Sequence, residues 1–440
     1  MEPSKLADRL RGILNPRNVV SSHVASGVSQ REGEVASGFS RTYADLRHIL
    51  GGDWRPQGDA ACFVVERRVA AQTMCGHVAV GELAAGLEAS AGEASLIAGA
   101  PARSPLVFFD LETTGLSGGA GTYAFLVGCG WFDEAGGFCT RQYLLVRFAD
   151  ERPLLTMVAG ELAGAGAIVS FNGKSFDAPV LETRYLFHRL EWVGARLPHV
   201  DVLHPARRFW GGVARALEDD ASPCSLVSLE RQVLGARRVG DVPGSEIPAR
   251  YFQFVRSGDG RPLVAVLEHN RLDLLSLAGL TARLVSLVRS GPDQARDARE
   301  ALALGHVYAR AGLDLRARDA FARAAGASIA LTSGSMPLIR ITALRALALA
   351  WRRARQYDEA AGCWRQLLDA RGCPHHIARE ATEALAIHHE HRARDLAAAK
   401  AFALRSLEDG MPPAGHEAAR HRLARIERKM ASGRRPGLLS

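Results

Sequence analysis

Ten residues in the first third of the chain, VFFDLETTGL from Val107 to Leu116, impose the sharpest constraint on its fold. An apolar run delivers Asp110 and Glu112, then breaks into two threonines and a glycine. Side chains alternate between the faces of a β-strand, so residues two apart point the same way. The two carboxylates therefore share a face, while Val107, Phe109 and Leu111 enter a core on the other. Like charges held side by side repel unless something positive sits between them. A fold that keeps this pair must end a buried strand at a place where positive charge is supplied.

The text around this strand is that of an α/β domain. Strands are predicted at 106–112, 123–132 and 140–148, followed by a helix at 151–163, the buried strand AIVSF at 167–171 and a helix at 177–190. In that last helix Val180, Tyr185, Leu186 and Leu190 keep helical spacing. Further helices are predicted near 225–235, 247–256 and 261–289. Three consecutive strands, then alternating helix and strand, imply a mixed sheet flanked by helices. The turns joining the first three strands are too short for crossovers, which argues against a parallel barrel. Upstream, CFVVERRV (62–69) reads as a strand, paired with GHVAVGEL (76–83). Residues 17–60 are rich in Ser, Gly, Arg and Asp and read as linker. The first sixteen residues form a charged amphipathic helix rather than a signal peptide.

From 297 onward the pattern is helical and repetitive. Leu304-Gly305, Tyr308, Ala317 and Phe321 follow the tetratricopeptide pattern, and Leu347-Ala348, Trp351, Ala360 and Trp364 repeat it. A weaker third copy has Ala386, His389, Ala398 and Phe402. The alanines at 317, 360 and 398 lie 43 and 38 residues apart, so insertions into the usual repeat of about 34 residues are expected. The organisation predicted is a helix and linker at 1–60, an α/β domain with an N-terminal β extension at 61–290, and helical repeats at 297–430.

Acidic residues recur after the first pair. FNGKSFDAP sets Asp177 at the start of a helix, and LEHNRLDLLSL sets His269 and Asp273 four apart on one helical face. Taken singly, each has an ordinary reading as a solvated strand end, a helix-dipole partner or a surface i,i+4 pair. Together, four carboxylates and a histidine at one end of a sheet make a site of hard oxygen donors suited to Mg²⁺ or Mn²⁺. Two such ions about 4 Å apart clamp the attacking and leaving oxygens of a phosphodiester.

The motif set D-x-E-T-T-G, N-x3-F-D and a late H-x3-D resembles the DEDD (DnaQ-like) 3′→5′ exonucleases of the ribonuclease H-like fold. TGLSGGAGTYAFLVG, SFNGKSFDAPVLETR, DVLHPARRFW and SLERQVLG are similar to the YprB-like branch of that superfamily. The resemblance covers about residues 60–290. It implies a ribonuclease H-like α/β domain and a two-metal 3′→5′ exonuclease, with Asp110, Glu112, Asp177 and Asp273 holding two Mg²⁺ or Mn²⁺ ions. It makes His269 the group that deprotonates the attacking water, a role suited to imidazole. In the histidine subtype that residue precedes the last Asp by five positions. Here the gap is four, the spacing of the tyrosine subtype. By the same analogy Thr113, Thr114, Gly115 and Leu116 hold the terminal nucleotide, and Asn172 and Phe176 position Asp177 or stack on a base. Asp201 reads as a supporting acid and Glu218, Asp219 and Asp220 as an acidic loop.

Charge and composition set the remaining expectations. A net charge of +8 comes almost wholly from arginine, since lysine occurs at 5, 174, 400 and 429 alone. Either a genome rich in Ala, Gly and Arg or a polyanionic partner explains it. Lys174, Arg207, Arg208, Arg237 and Arg238 are candidate phosphate contacts, and Arg345, Arg352, Arg353 and Arg355 a candidate extension of them. Nucleic acid, DNA or RNA at 3′ ends, is the expected partner, and the concave face of the repeats offers a second, protein one. Seven scattered cysteines with no metal spacing read as free thiols of a reducing, cytoplasmic compartment, and no apolar run of about 18 residues spans a membrane. The competing reading is a scaffold that binds nucleic acid through its repeats without cutting it.

Overall fold

The computed structural model describes residues 45–99, 101–115, 121–211, 224–326, 336–408 and 413–433. The N-terminal helix, most of the linker, Leu116 and the acidic loop 218–220 lie outside the described residues.

Seven strands form one mixed sheet in the order β1-β2-β7-β6-β5-β8-β9. They are β1 (Asp53–Gln57), β2 (Ala60–Val69), β5 (Leu106–Thr113), β6 (Ala124–Phe132), β7 (Phe138–Leu144), β8 (Ala167–Ser170) and β9 (His199–Asp201); β3 (Met74–Cys75) and β4 (Val78–Ala79) make a separate hairpin. The meander β5-β6-β7 is antiparallel, whereas β8 and β9 run parallel to β5. Each of these parallel returns is made through helical crossovers, as the predicted strand–helix alternation requires.

Helices cover both faces: α1 (Val80–Ser90), α2 (Ala94–Ala98), α3 (Glu151–Ala163), α4 (Asp177–Phe187), α5 (Leu203–Trp210), α6 (Leu226–Leu229), α7 (Ile247–Ser257) and α8 (Arg261–Ser290). Alternation sorts β5 as its sequence demands. Val107, Phe109 and Leu111 enter one apolar cluster with Leu154, Val158 and Tyr185 of α3 and α4, while Phe108 enters another with α8.

Two upstream expectations are corrected. Residues 76–83 do not pair with β2, whose neighbours are β1 and β7. The backbone turns at Gly76 (φ 63°), and α1 begins at Val80. Val80, Leu83 and Leu87, spaced for a helix, carry its buried face. Residues 45–57, read as linker, form a helical segment at 45–50 and the edge strand β1. That segment buries Leu46 and Leu50 against the sheet, and Pro56 stands where an edge strand tolerates a missing donor.

Beyond α8 the described chain is all helical: α9 (Ala298–Arg310), α10 (Asp314–Ala325), α11 (Met336–Arg353), α12 (Tyr357–Asp369), α13 (His375–His391), α14 (Leu396–Glu408) and α15 (Pro413–Gly433). These pack as successive antiparallel neighbours. In the first pair Gly305 lets Phe321 close in, since a Cβ there would stand 2.4 Å from the ring. The region shares one continuous core with the sheet, running from Phe108 and Val169 through α8 to Leu304, Trp364 and Leu385. Glu300 pins the seam. Its buried carboxylate accepts from Trp210 Nε1 at 2.9 Å and from Arg283 at 2.7 Å.

A buried ion pair fixes α3 to α4. Arg184, 1% exposed, donates two hydrogen bonds of 2.6 and 2.5 Å to Glu151, which also meets His188 at 2.7 Å. Removing one partner of such a pair strands the other in low dielectric. Arg184→Leu should therefore lower unfolding free energy by about 3–5 kcal/mol in a urea titration, and a loss below about 1 kcal/mol would contradict this account.

Candidate active site

Strand β5 sets Asp110 opposite Gly128 of β6, which in turn stands opposite Gln142 of β7. Helix α8 crosses the sheet over this row. Asn270, fully buried, sits above Gly128 and donates through Nδ2 to Asp110 Oδ2 at 2.7 Å, while Gln142 Nε2 donates to Asn270 Oδ1 at 2.8 Å. The close approach requires glycine: a Cβ at position 128 would stand 2.2 Å from Asn270 Oδ1. Apolar residues of α8 lie on either side of this polar row, Val266 and Leu267 in one cluster and Leu274 and Leu277 in the other. The row therefore fixes the register of helix on sheet.

The same helix brings His269 and Asp273 to β5. Asp177 arrives from the first turn of α4, beyond the end of β8. Its approach is set by the FNGKSFD turn, in which Asn172 takes a left-handed φ of 69° that asparagine tolerates. Asp201, 3% exposed, holds that turn. Its carboxylate accepts from the backbone N–H groups of Asn172, Lys174 and Leu203 at 2.9, 3.1 and 3.1 Å. Gly173 lies against Ser170 and the Asp177 carboxylate, with no room for a Cβ.

The four acids sense one another. Burial pushes Asp110 well above the carboxylate range, and Asp273, Glu112 and Asp177 add to the shift while the Asn270 hydrogen bond opposes it. Glu112 is raised by burial, then by Asp273 and Asp177. Asp177 is pushed up to about 7 by burial and by Asp201. Asp273 is raised by burial against the pull of Arg238 and His269. Among the described residues no three such groups stand in a ligating arrangement. Asp110 faces Asn270, and Asp273 lies 2.6 Å from Arg238. The donor set itself, four carboxylates enclosed together and short of positive charge, fits hard divalent cations.

Sequence reasoning did not find the second layer. Arg238, a candidate phosphate contact by sequence, is instead 4% exposed and contacts Asp273, Glu230 and Asp241 at 2.6, 2.7 and 3.0 Å. Its charge is consumed inside the protein. Asp241 accepts from His269 Nδ1 at 2.7 Å, which leaves the ring's Nε2 3.6 Å from Asp273 Oδ2. Burial opposes the charge on Asp241, yet its bonds to His269 and Arg238 outweigh burial and hold the carboxyl below its ordinary value. Both contacts join residues with no local sequence signature.

Around the rim, Thr113 and Thr114 are engaged with their own loop. Thr113 Oγ1 donates to the Gly115 carbonyl at 2.9 Å, and Thr114 Oγ1 accepts from the Tyr123 N–H at 3.0 Å. Lys174 and Asn172 are exposed beside the site, and Phe176 is half-buried. All seven cysteines are free. Among the described residues no helix is long and apolar enough to cross a membrane.

Comparison with known proteins places this site in context. Residues 107–285 match the family model described as the RNase H superfamily. The uncharacterized protein YprB of Bacillus subtilis (strain 168) is 30% identical over 338 residues, covering 75% of this chain and 76% of that protein.

Two measurements test the geometry. The raised Asp177 carboxyl favours the folded state while protonated. That contribution is present below its unfolded value near 4 and is lost as pH rises through about 7. In metal-free buffer the melting temperature of the wild type should fall over this window relative to Asp177→Asn. Parallel curves for the two proteins would refute the linkage. Gly128→Ala and Asn270→Ala should each destabilise by about 1–3 kcal/mol, and the double variant by clearly less than the sum, since both remove one bridge. Strict additivity would show that the bridge is not shared.

Proposed function

Because the chain belongs to the RNase H superfamily, in the family that includes YprB of Bacillus subtilis, we propose that it is a metal-dependent nuclease. It hydrolyses phosphodiester bonds and trims nucleic acid from 3′ ends. One observation carries this reading: Asp110, Glu112, Asp177 and Asp273, from three separate elements, converge on one enclosed spot with His269 beside them.

Asp110, Glu112, Asp177 and Asp273 would hold Mg²⁺ or Mn²⁺. Two bound ions supply the Lewis acidity and charge neutralisation that a phosphodiester needs. The protein's own share is positioning. Asn270 and Gln142 hold the Asp110 side chain in one orientation. Asp241 takes the Nδ1–H of His269, which orients the ring so that Nε2 is the nitrogen turned toward Asp273 and free to meet a water. The four-residue spacing keeps that ring beside Asp273 rather than turning it away. The Thr113–Gly115 loop and Phe176 border the site where a terminal nucleotide would lie. The helix pairs after 297 are read as tetratricopeptide-like repeats attached to the nuclease unit, which extends upstream of 60 to include β1.

A 5′-labelled single strand of DNA, a matched RNA and a circular form of each test the assignment. With Mg²⁺ or Mn²⁺, mononucleotides should be released from 3′ ends of linear substrates, circles should survive, and chelator should stop the reaction. Asp110→Ala should abolish turnover with an unchanged circular-dichroism spectrum. His269→Ala should reduce kcat by about 10²–10⁴ while strand binding persists. Undiminished turnover by Asp110→Ala would sink the site assignment, and cleaved circles would replace the exonuclease with an endonuclease.

A further inference from the structure

The seam between the sheet and the helix pairs carries two adjoining clefts, of about 620 and 800 Å³, and Arg208 and Arg310 line both. The first cleft opens at the turn bearing Asp177, where Lys174 and Asp201 form its wall, and continues past His204. The second runs on along the helix pairs past His306 to Arg353. Lys174, Arg208, Arg310 and Arg353 are all exposed. Among the described residues none of the four has an ion-pair partner. Two carboxylates line the clefts. Asp201 is committed to three backbone N–H groups, and Asp314 stands alone in the second.

Cations outnumber carboxylates here. Burial and the nearby Arg310 lower Arg208, and burial and the same Arg310 lower His306. Evolving like charges toward one another is unfavourable for the free protein and favourable once an anion lies between them. Between the cations the walls are apolar: Leu96, Ile97 and Val307 in the first cleft, Leu302, Ala309 and Ile339 in the second. A groove that alternates fixed positive charge with apolar surface suits a chain that alternates phosphates with flat bases. Paired bases in a duplex would turn their apolar faces away from such walls, so the fit is to a single strand.

We propose that this seam is the track of a single-stranded polynucleotide, whose phosphates are held by Lys174, Arg208, Arg310 and Arg353 as the strand leads toward the carboxylate site. The inference rests on the nuclease reading for the fate of the strand, but its binding component is separable. Lys174 joins the two, lying in the same turn as Asp177. The track also gives the helix pairs a role in substrate capture.

The test is fluorescence anisotropy of the full chain with a fluorescein-labelled single strand of about 15 nucleotides in chelator, titrated over salt. Arg208→Ala with Arg310→Ala should weaken binding about tenfold and reduce the log–log salt slope by about 1.4, at about 0.7 per lost phosphate contact. In the presence of Mn²⁺, the ratio of kcat/KM for the long strand over a dinucleotide should fall correspondingly. Unchanged affinity in the double variant, or tighter binding of duplex than of single strand, would overturn the track. A wild-type chain that binds the strand with this salt dependence, yet hydrolyses neither substrate, would sink the nuclease reading and support the track.

Discussion

Electrostatic repulsion among four enclosed carboxylates is the constraint around which the central part of the molecule is built. Such a cluster opposes folding, because each buried charge is costly and each neighbour raises that cost. The structure restrains it with groups of fixed geometry. Asn270 holds Asp110, the backbone amides of the 172–203 region hold Asp201 behind Asp177, and Arg238 stands against Asp273. Apolar packing on both faces of the sheet supplies the stability that keeps these groups together.

Arg238 shows how one cation organises a region. It lies within ion-pair distance of Glu230, Asp241 and Asp273, and Ser276 closes the far side by donating to Glu230 at 2.6 Å. Through Asp241 its influence reaches the imidazole of His269. The orientation of that ring is therefore tied to the loop that follows the π-helical turn at Glu230–Leu234, not to α8 alone. A planar guanidinium with several donors can serve three acids at once, where a lysine ammonium could not match the same geometry.

Residue types and local periodicity made the acids legible in the sequence. Asp110 and Glu112 lie at the end of an alternating strand, Asp177 opens a helix, and Asp273 follows His269 by one helical turn. The supporting groups were not legible, because their partnerships span 28, 128 and 160 positions and leave no local pattern. Asn270 stood in plain view inside the LEHNRLDLL motif. The signal was that a polar residue there points into a sheet face which Gly128 leaves open. Arg238 looked like surface charge because arginine is abundant throughout the chain. Strand β1 escaped notice because its residues are mostly exposed and it contains a proline. The stretch after Gly76 was misread because Val78 and Val80 alternate before the helical spacing begins.

Helix α8 runs unbroken for 30 residues, about 45 Å. Its first half carries His269, Asn270 and Asp273, its second half packs against α1, and its last turn meets the helix pairs, where Tyr308 donates to the Val288 carbonyl at 2.6 Å. The chemical centre and the helical superstructure are therefore joined by a rigid beam rather than a linker. A domain that swings can hand substrate over, whereas one fixed to such a beam works as a gauge. On the proposed track, the path from a strand's point of entry to the acids would have a set length, so shortening the substrate below it would change how the end is held, not how far the protein must close.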